Sequence, residues 1–184
     1  MANTLETLGV SHEKAMIMFQ DEARFGRINS PHKCWVKGTR PYVYCQIVRE
    51  YTYVYAAVDP FEGVLDSLII PFVAAEAMSI FLEEVSKRHS EKLILMFLDQ
   101  AGWHRAKELR IPQNMTLLPF PAYSPELNPA EHVWDELREK WFYNFTFDSI
   151  GAVEDRLTDG LCDLENAPSL IQSLTGFDWI ISCV

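Results

Sequence analysis

Three acids stand where the chain could do metal chemistry. Asp21 closes the apolar run Met16-Ile17-Met18-Phe19-Gln20, Asp99 closes the run Leu93 to Leu98, and Glu131 follows a proline-rich stretch that ends at Pro129. An apolar run without alternation reads as a strand covered on both faces. A carboxylate ending such a strand lies at the sheet rim, where α/β proteins bind ligands. Three carboxylates at one rim repel each other unless cations lie between them. Hard oxygen donors suit Mg2+ or Mn2+, and two such ions, about 3.5–4 Å apart, suit phosphodiester chemistry. The spacing therefore predicts that the three carboxylates converge within metal-sharing distance.

Each acid also has an ordinary explanation. Asp21 could start a turn, and Asp99 could cap a short helix opening near Trp103. With Asn128 as N-cap and Pro129 as first helical residue, Glu131 falls in the glutamate slot of a capping box. What favours the metal reading is the joint pattern of two rim aspartates and a helical acid after a rigid proline loop. Glu22 adjoins Asp21, but successive strand residues point to opposite faces, so Asp21, which directly follows the run, is preferred. His104 could touch a phosphate, hold Asp99 or be structural. Trp134, Leu137 and Trp141 read as the core face of the helix, aiming Glu131 at the rim. Asp135 is a spare carboxylate one turn on.

Those residues need a frame. Strand formers predict strands over 15–22, 51–58, 64–70, 92–98 and 115–118, with Asp59-Pro60-Phe61-Glu62-Gly63 as the turn of a hairpin. Tyr42 to Val48 could form another strand. Ala74 to His89 has helical spacing, with Ala77, Ile80, Phe81 and Val85 as its stripe. A helix is expected from Asn128 to about Phe145, another over 150–164, and short helical pieces after that. A hairpin followed by strand and helix gives an α/β fold, a mixed sheet with helices on both faces. The first strand and the 92–98 strand would lie parallel at its centre, with Asp21 and Asp99 at one edge. The expected domains are a lead-in over 1–14, a core over 15–147 with a basic insertion or hairpin at 23–50, and a helical extension of the same domain over 148–184.

Composition narrows the function. The chain has 184 residues, 48% of them hydrophobic, which suits one domain with an ample core. No apolar run approaches the roughly 20 residues of a membrane span, and the N-terminus carries no secretory signal. The four cysteines, Cys34, Cys45, Cys162 and Cys183, fit no metal spacing and read as reduced, mostly buried thiols of a cytoplasmic protein. The net charge is −10, yet Ala23 to Arg49 contains six bases and no acid, whereas Asp148 to the end contains seven acids and one base. Such asymmetry suggests a polyanion-facing side and a solvated far side; the alternative is that the two segments pair with each other. Arg24, Arg27, Lys33, Lys37 and Arg40, with Trp35 among them and His104 and Arg105 nearby, are the candidate DNA contacts. Trp35 could equally be core.

The segments Phe19-Gln20-Asp21-Glu22, Leu98-Asp99-Gln100-Ala101-Gly102-Trp103-His104 and Tyr123-Ser124-Pro125-Glu126-Leu127-Asn128-Pro129-Ala130-Glu131-His132-Val133-Trp134 resemble the catalytic motifs of DDE-superfamily transposases. They are most similar to the mariner-like superfamily on its bacterial side, the insertion-sequence family numbered six-thirty. The resemblance covers about Ala15 to Phe145. It implies an RNase H-like fold, with Asp21, Asp99 and Glu131 holding two divalent ions (Mg2+ or Mn2+) and Asn128, Pro129 and Trp134 in support. It implies nicking at element ends, then attack of a 3′-hydroxyl on target DNA, so element ends and target DNA are the expected partners. Members usually carry an N-terminal helix-turn-helix region, which the lead-in is too short to supply. End recognition is then expected from a separate helix-turn-helix chain or a missing N-terminal region; a second copy of the chain is the other partner allowed. The expected location is the cytoplasm, at the nucleoid. Two other functions remain open at this stage: an RNase H-like nuclease or resolvase without strand transfer, and a non-catalytic remnant that acts by binding.

Overall fold

The computed structural model describes residues 15–29, 31–39, 41–105, 108–122 and 124–182, with Trp103, Arg105 and Pro125 described by backbone alone. The lead-in over 1–14 lies outside them. Five strands, β1 (Ala15–Ile28), β2 (Ile47–Asp59), β3 (Val64–Ile70), β4 (Leu93–Leu98) and β5 (Met115–Pro119), form one sheet in the order β3-β2-β1-β4-β5. The β1–β2 and β2–β3 pairs are antiparallel, whereas β1–β4 and β4–β5 are parallel. β1 and β4 are thus the parallel central neighbours the apolar runs predict.

Helices cover both faces. On one side α1 (Ala75–Arg88) packs Ala77, Met78, Phe81, Leu82 and Val85 against Met16, Met18, Tyr55, Ile94 and Met96. Ile80, expected in that stripe, is exposed, and Met78 and Leu82 take its place. On the other side lie α2 (Glu131–Leu137), α3 (Ile150–Glu165), α4 (Pro168–Thr175) and α5 (Asp178–Ile181). Trp134, Val153, Leu157, Leu161, Ile171 and Ile180 share one core there with Ile17, Phe19, Val54 and Val58. The C-terminal helices therefore bury the same sheet face as α2. None of the helices among the described residues is long and apolar enough to cross a membrane.

Three local expectations differ from the structure. β1 does not stop at Glu22 but runs to Ile28, because Ala23 and Phe25 stay buried in alternation and β2 keeps pairing, Gly26 opposite Tyr51. A Cβ on Gly26 would come within 2.4 Å of the Glu50 carbonyl oxygen, so only glycine lets the strands meet there. Tyr42 to Gln46 form no strand, and β2 begins at Ile47. The helix expected over 128–145 is shorter: α2 starts at Glu131, widens into a π-type turn over Arg138–Phe142 and stops before Asn144, whose φ of 65° leaves the helical region.

The described cysteines Cys34, Cys45 and Cys162 are free thiols but exposed, not buried. The first two lie between β1 and β2, and the third is on the solvent side of α3. The residues between β1 and β2 form an arm tied at its base and at His32, whose N–H donates to Asn144 Oδ1 at 2.8 Å and whose ring stacks on Tyr143. Asn29 donates to the Tyr44 carbonyl and accepts from the Gln46 N–H, and Gln46 exchanges two hydrogen bonds with the Phe147 backbone.

Candidate active site

A cavity of about 500 Å3 opens beside the end of β4, and Asp21, Asp99 and Glu131 all line it. Its walls include Gln100, Phe120, Ser124 and Asn128. The three acids come from β1, from the loop after β4 and from the first residue of α2, so the chain brings together what the sequence keeps far apart. Asp21 is not at the end of its strand. It sits where the parallel pairing of β1 with β4 has ended, at Phe19–Phe97, and only β2 remains alongside.

Asp21 is the most constrained of the three. Burial, and then the negative charge of Glu131, push its pKa up to about 7, although the Trp134 indole N–H donates to Oδ2 at 2.8 Å and pulls the other way. A carboxylate driven this far from its ordinary value by burial and then by an acid across a cleft is a group that a cation would relieve. Asp99 is more open: its side chain is 58% exposed, and its Oδ1 accepts from the Ala101 N–H at 2.8 Å. Glu131 begins α2, which has no side-chain cap, so its carboxylate is not spent on the capping box that the sequence allowed.

Asn128 is not an N-cap. Its side chain, buried, donates to the Gln20 carbonyl at 3.0 Å and accepts from the Ala130 N–H, which ties the approach to α2 directly to β1 beside Asp21. Pro129 is likewise not the first helical residue but lies in a tight lead-in, where the His132 N–H bonds its carbonyl. Trp134 is buried as expected, and its indole also holds Asp21, which the core reading missed; its place three residues after Glu131 was the available signal. Asp135 points away, with its side chain 73% exposed. Tyr123, in the motif, lies outside the described residues.

The carboxylates line one cavity but do not converge into a ready metal cluster: among the described residues, no three acids, histidines or cysteines stand together closely enough to hold an ion. Like charges hold apart, and Asp99 is drawn toward His104 on its own side. The donor set still fits a hard divalent cation, because all three side chains offer carboxylate oxygens to the same space and Asp21 and Glu131 already feel each other's charge.

The basic candidates divide. Lys33, Trp35 and Lys37 are exposed on the arm, and Trp35 is fully solvent-exposed, so core burial does not apply to it. Arg24 is exposed, with its guanidinium 4.5 Å from the centre of the Tyr51 ring. Arg27 is not a free contact: its Nε donates to the Phe147 carbonyl at 2.8 Å and its Nη1 pairs with Glu50 at 2.7 Å. His104 does not face DNA either, being buried, with its ring nitrogens turned to Glu22 and Asp99. Arg40 and the Arg105 side chain lie outside the described residues. Among the described residues no ion pair joins the basic segment to the acidic C-terminal one: Arg27 turns to Glu50, and the acids of 148–182 enter no ion pair.

Residues 16–154 match the family described as DDE superfamily endonuclease. The chain belongs to that family. Its three motifs resembled those of DDE-superfamily transposases, in agreement with that match, and the sheet order with helices on both faces is the RNase H-like fold. Similar solved structures include the Mos1 strand transfer complex (TM-score 0.60, 19% identity, 96% of this chain and 59% of that one). The Mos1 mariner paired end complex with Mn is comparable (TM-score 0.60, 20% identity, 96% of this chain and 60% of that one). The chain thus spans about 60% of the length of the Mos1 chains it matches. It is also 33% identical over 130 residues to the uncharacterized protein y4pE/y4sA of Sinorhizobium fredii, covering 70% of this chain and 96% of that protein.

Proposed function

We propose that this DDE-family domain is the catalytic domain of a transposase, cutting DNA at element ends and joining a 3′-hydroxyl to target DNA. The observation that carries the reading is that Asp21, Asp99 and Glu131, one from each motif, line one cavity. These three residues would hold divalent ions, Mg2+ or Mn2+ and two per site, as the Mos1 complexes with Mn and with Mg suggest by analogy. When bound, such ions activate water and offset charge on the phosphodiester. The chain's own residues prepare that space. Trp134 and Asn128 fix Asp21 and the start of α2 to each other through β1, and Gln100 ties the loop after β4 to the Phe120 carbonyl.

DNA would be held by the basic arm, through Lys33 and Lys37 on phosphates and Trp35 on an exposed base. Element-end recognition would come from a separate helix-turn-helix chain or region, with a second copy of this chain as a further partner, acting in the cytoplasm at the nucleoid. The test is Mg2+-dependent nicking and strand transfer on element-end DNA by the full chain and by Asp99→Asn, which keeps the side chain's shape but loses the charge that holds a hard cation. The reading expects products from the parent and none from Asp99→Asn, with unchanged circular dichroism. Equal products from both would overturn it, and nicking without joining would leave a nuclease.

A further inference from the structure

Glu22, discarded as a metal ligand because it faces away from Asp21, has a partner that matters. Its Oε1 lies 2.9 Å from His104 Nε2, and His104 Nδ1 lies 2.9 Å from Asp99 Oδ1. The Glu22 and His104 side chains are 8% and 2% exposed, so neither meets solvent or substrate. Asp99 lies beyond the end of β4, its side chain 58% exposed. Besides the Ala101 N–H, the imidazole is the described group set against its carboxylate, and the same Nδ1 also lies 3.2 Å from the Asp99 backbone carbonyl, so the ring grips both ends of that residue.

We infer that Glu22 and His104 are positioning residues, a buried relay that fixes the rotamer of Asp99 and leaves its second oxygen turned to ligand. This rests on the metal-site reading proposed above. β1 then positions both aspartates: Asp21 directly, on the face toward α2, and Asp99 indirectly, through the very next residue on the opposite face. The physical reason is orientation. An exposed aspartate spreads over several rotamers, and a ligand set must be held before the ion arrives if binding is not to be spent on ordering it. An imidazole with both ring nitrogens on oxygens cannot turn without breaking a bond to one of them. Glu22 thus locks the ring, and the ring locks Asp99.

The experiment measures Mn2+ binding to the full chain by electron paramagnetic resonance of the free ion, without DNA. His104→Ala and Glu22→Ala are each expected to weaken Mn2+ binding by about 10–100-fold, the usual effect of removing an orienting partner. Glu22→Gln keeps an acceptor oxygen on the ring and should stay within about twofold of the parent. Because Glu22 acts through His104, the double Ala variant should bind no more weakly than His104→Ala. Parent affinity in both single Ala variants, losses that multiply in the double variant, or a Glu22→Gln as weak as Glu22→Ala would each overturn the relay. If His104→Ala does not fold, the contrast between Glu22→Ala and Glu22→Gln decides. A parent that binds no Mn2+ would instead overturn the metal-site reading itself, and the relay with it.

Discussion

Two tryptophans in two regions of this molecule show how differently one residue type can be used. Trp134, on α2 beneath the cavity, is 1% exposed, meets Phe25 edge-on at 6.3 Å and donates its N–H to Asp21. Trp35, on the arm between β1 and β2, is fully exposed, with Tyr42 and Tyr44 nearly so. Around the cavity, every acid is reached by an element that has its own reason to be there, and the fixed partners are buried. On the arm, the described anchors are Asn29, His32 and Gln46, and Trp35, Tyr42 and Tyr44 face water. The comparison teaches that the groups that hold the cavity and the groups exposed on the arm are separate in this fold. The cavity is held by the core, whereas the arm offers aromatic and basic groups that the core does not use.

The sharpest way to break that comparison is to truncate both rings. Trp134→Ala should destabilise the chain by about 3–5 kcal/mol, whereas Trp35→Ala should stay within about 0.5 kcal/mol of the parent in urea denaturation. A Trp35→Ala as damaging as Trp134→Ala would mean that the arm is folded onto something.

A second effect concerns Asp21. Its folded pKa of about 7 lies above its ordinary value, so the folded chain keeps a proton that the unfolded chain releases. The stability this contributes is fully present below about pH 4 and is lost as pH rises through about 7. Asp21→Asn should remove that slope and stabilise the metal-free chain at pH 8 by on the order of 2 kcal/mol, while abolishing cleavage. Denaturation at pH 5 and pH 8 for both proteins checks it; parallel pH slopes would show that Asp21 is not the buried acid described.

The arm gives the smaller effects. Removing Lys33 and Lys37 together should lower the slope of log affinity against log salt by about two on duplex DNA, as two phosphate contacts would. Lys87→Ala with Lys140→Ala, which remove paired bases elsewhere, should leave the slope unchanged. Trp35→Ala should weaken single-strand binding by about tenfold, near the lower half of the range for one stacked base. Both are read by fluorescence anisotropy across a salt series, and equal slopes in all variants would remove DNA from the arm.

Much of the centre was legible in the sequence, because apolar runs and a proline-glycine turn report burial and chain reversal locally. Leu93–Leu98 could hardly be anything but a covered strand, and Asp59 to Gly63 forced the hairpin. The shared cavity of the three acids followed from three motifs taken together. What could not be read were features that depend on a distant partner. β1 continues past its two acids only because β2 still pairs with it. The Asn128 amide donates to the Gln20 carbonyl, 108 residues away in sequence, while its oxygen closes the turn before α2 at the Ala130 N–H. Glu22 and His104 looked like a rejected acid and an uncommitted histidine until the fold set them 2.9 Å apart.

By itself, the sequence determined the sheet's centre and the helices on both faces, because hydrophobic periodicity is a local property. Only the tertiary structure decided which basic residues are free, since Arg27 is taken up by Phe147 and Glu50 while Lys33 and Lys37 stand clear. It alone decided how Asp99 is held. Hydrogen bonds between side chains far apart in sequence have no periodicity to announce them, and they form only where packing brings their atoms within reach.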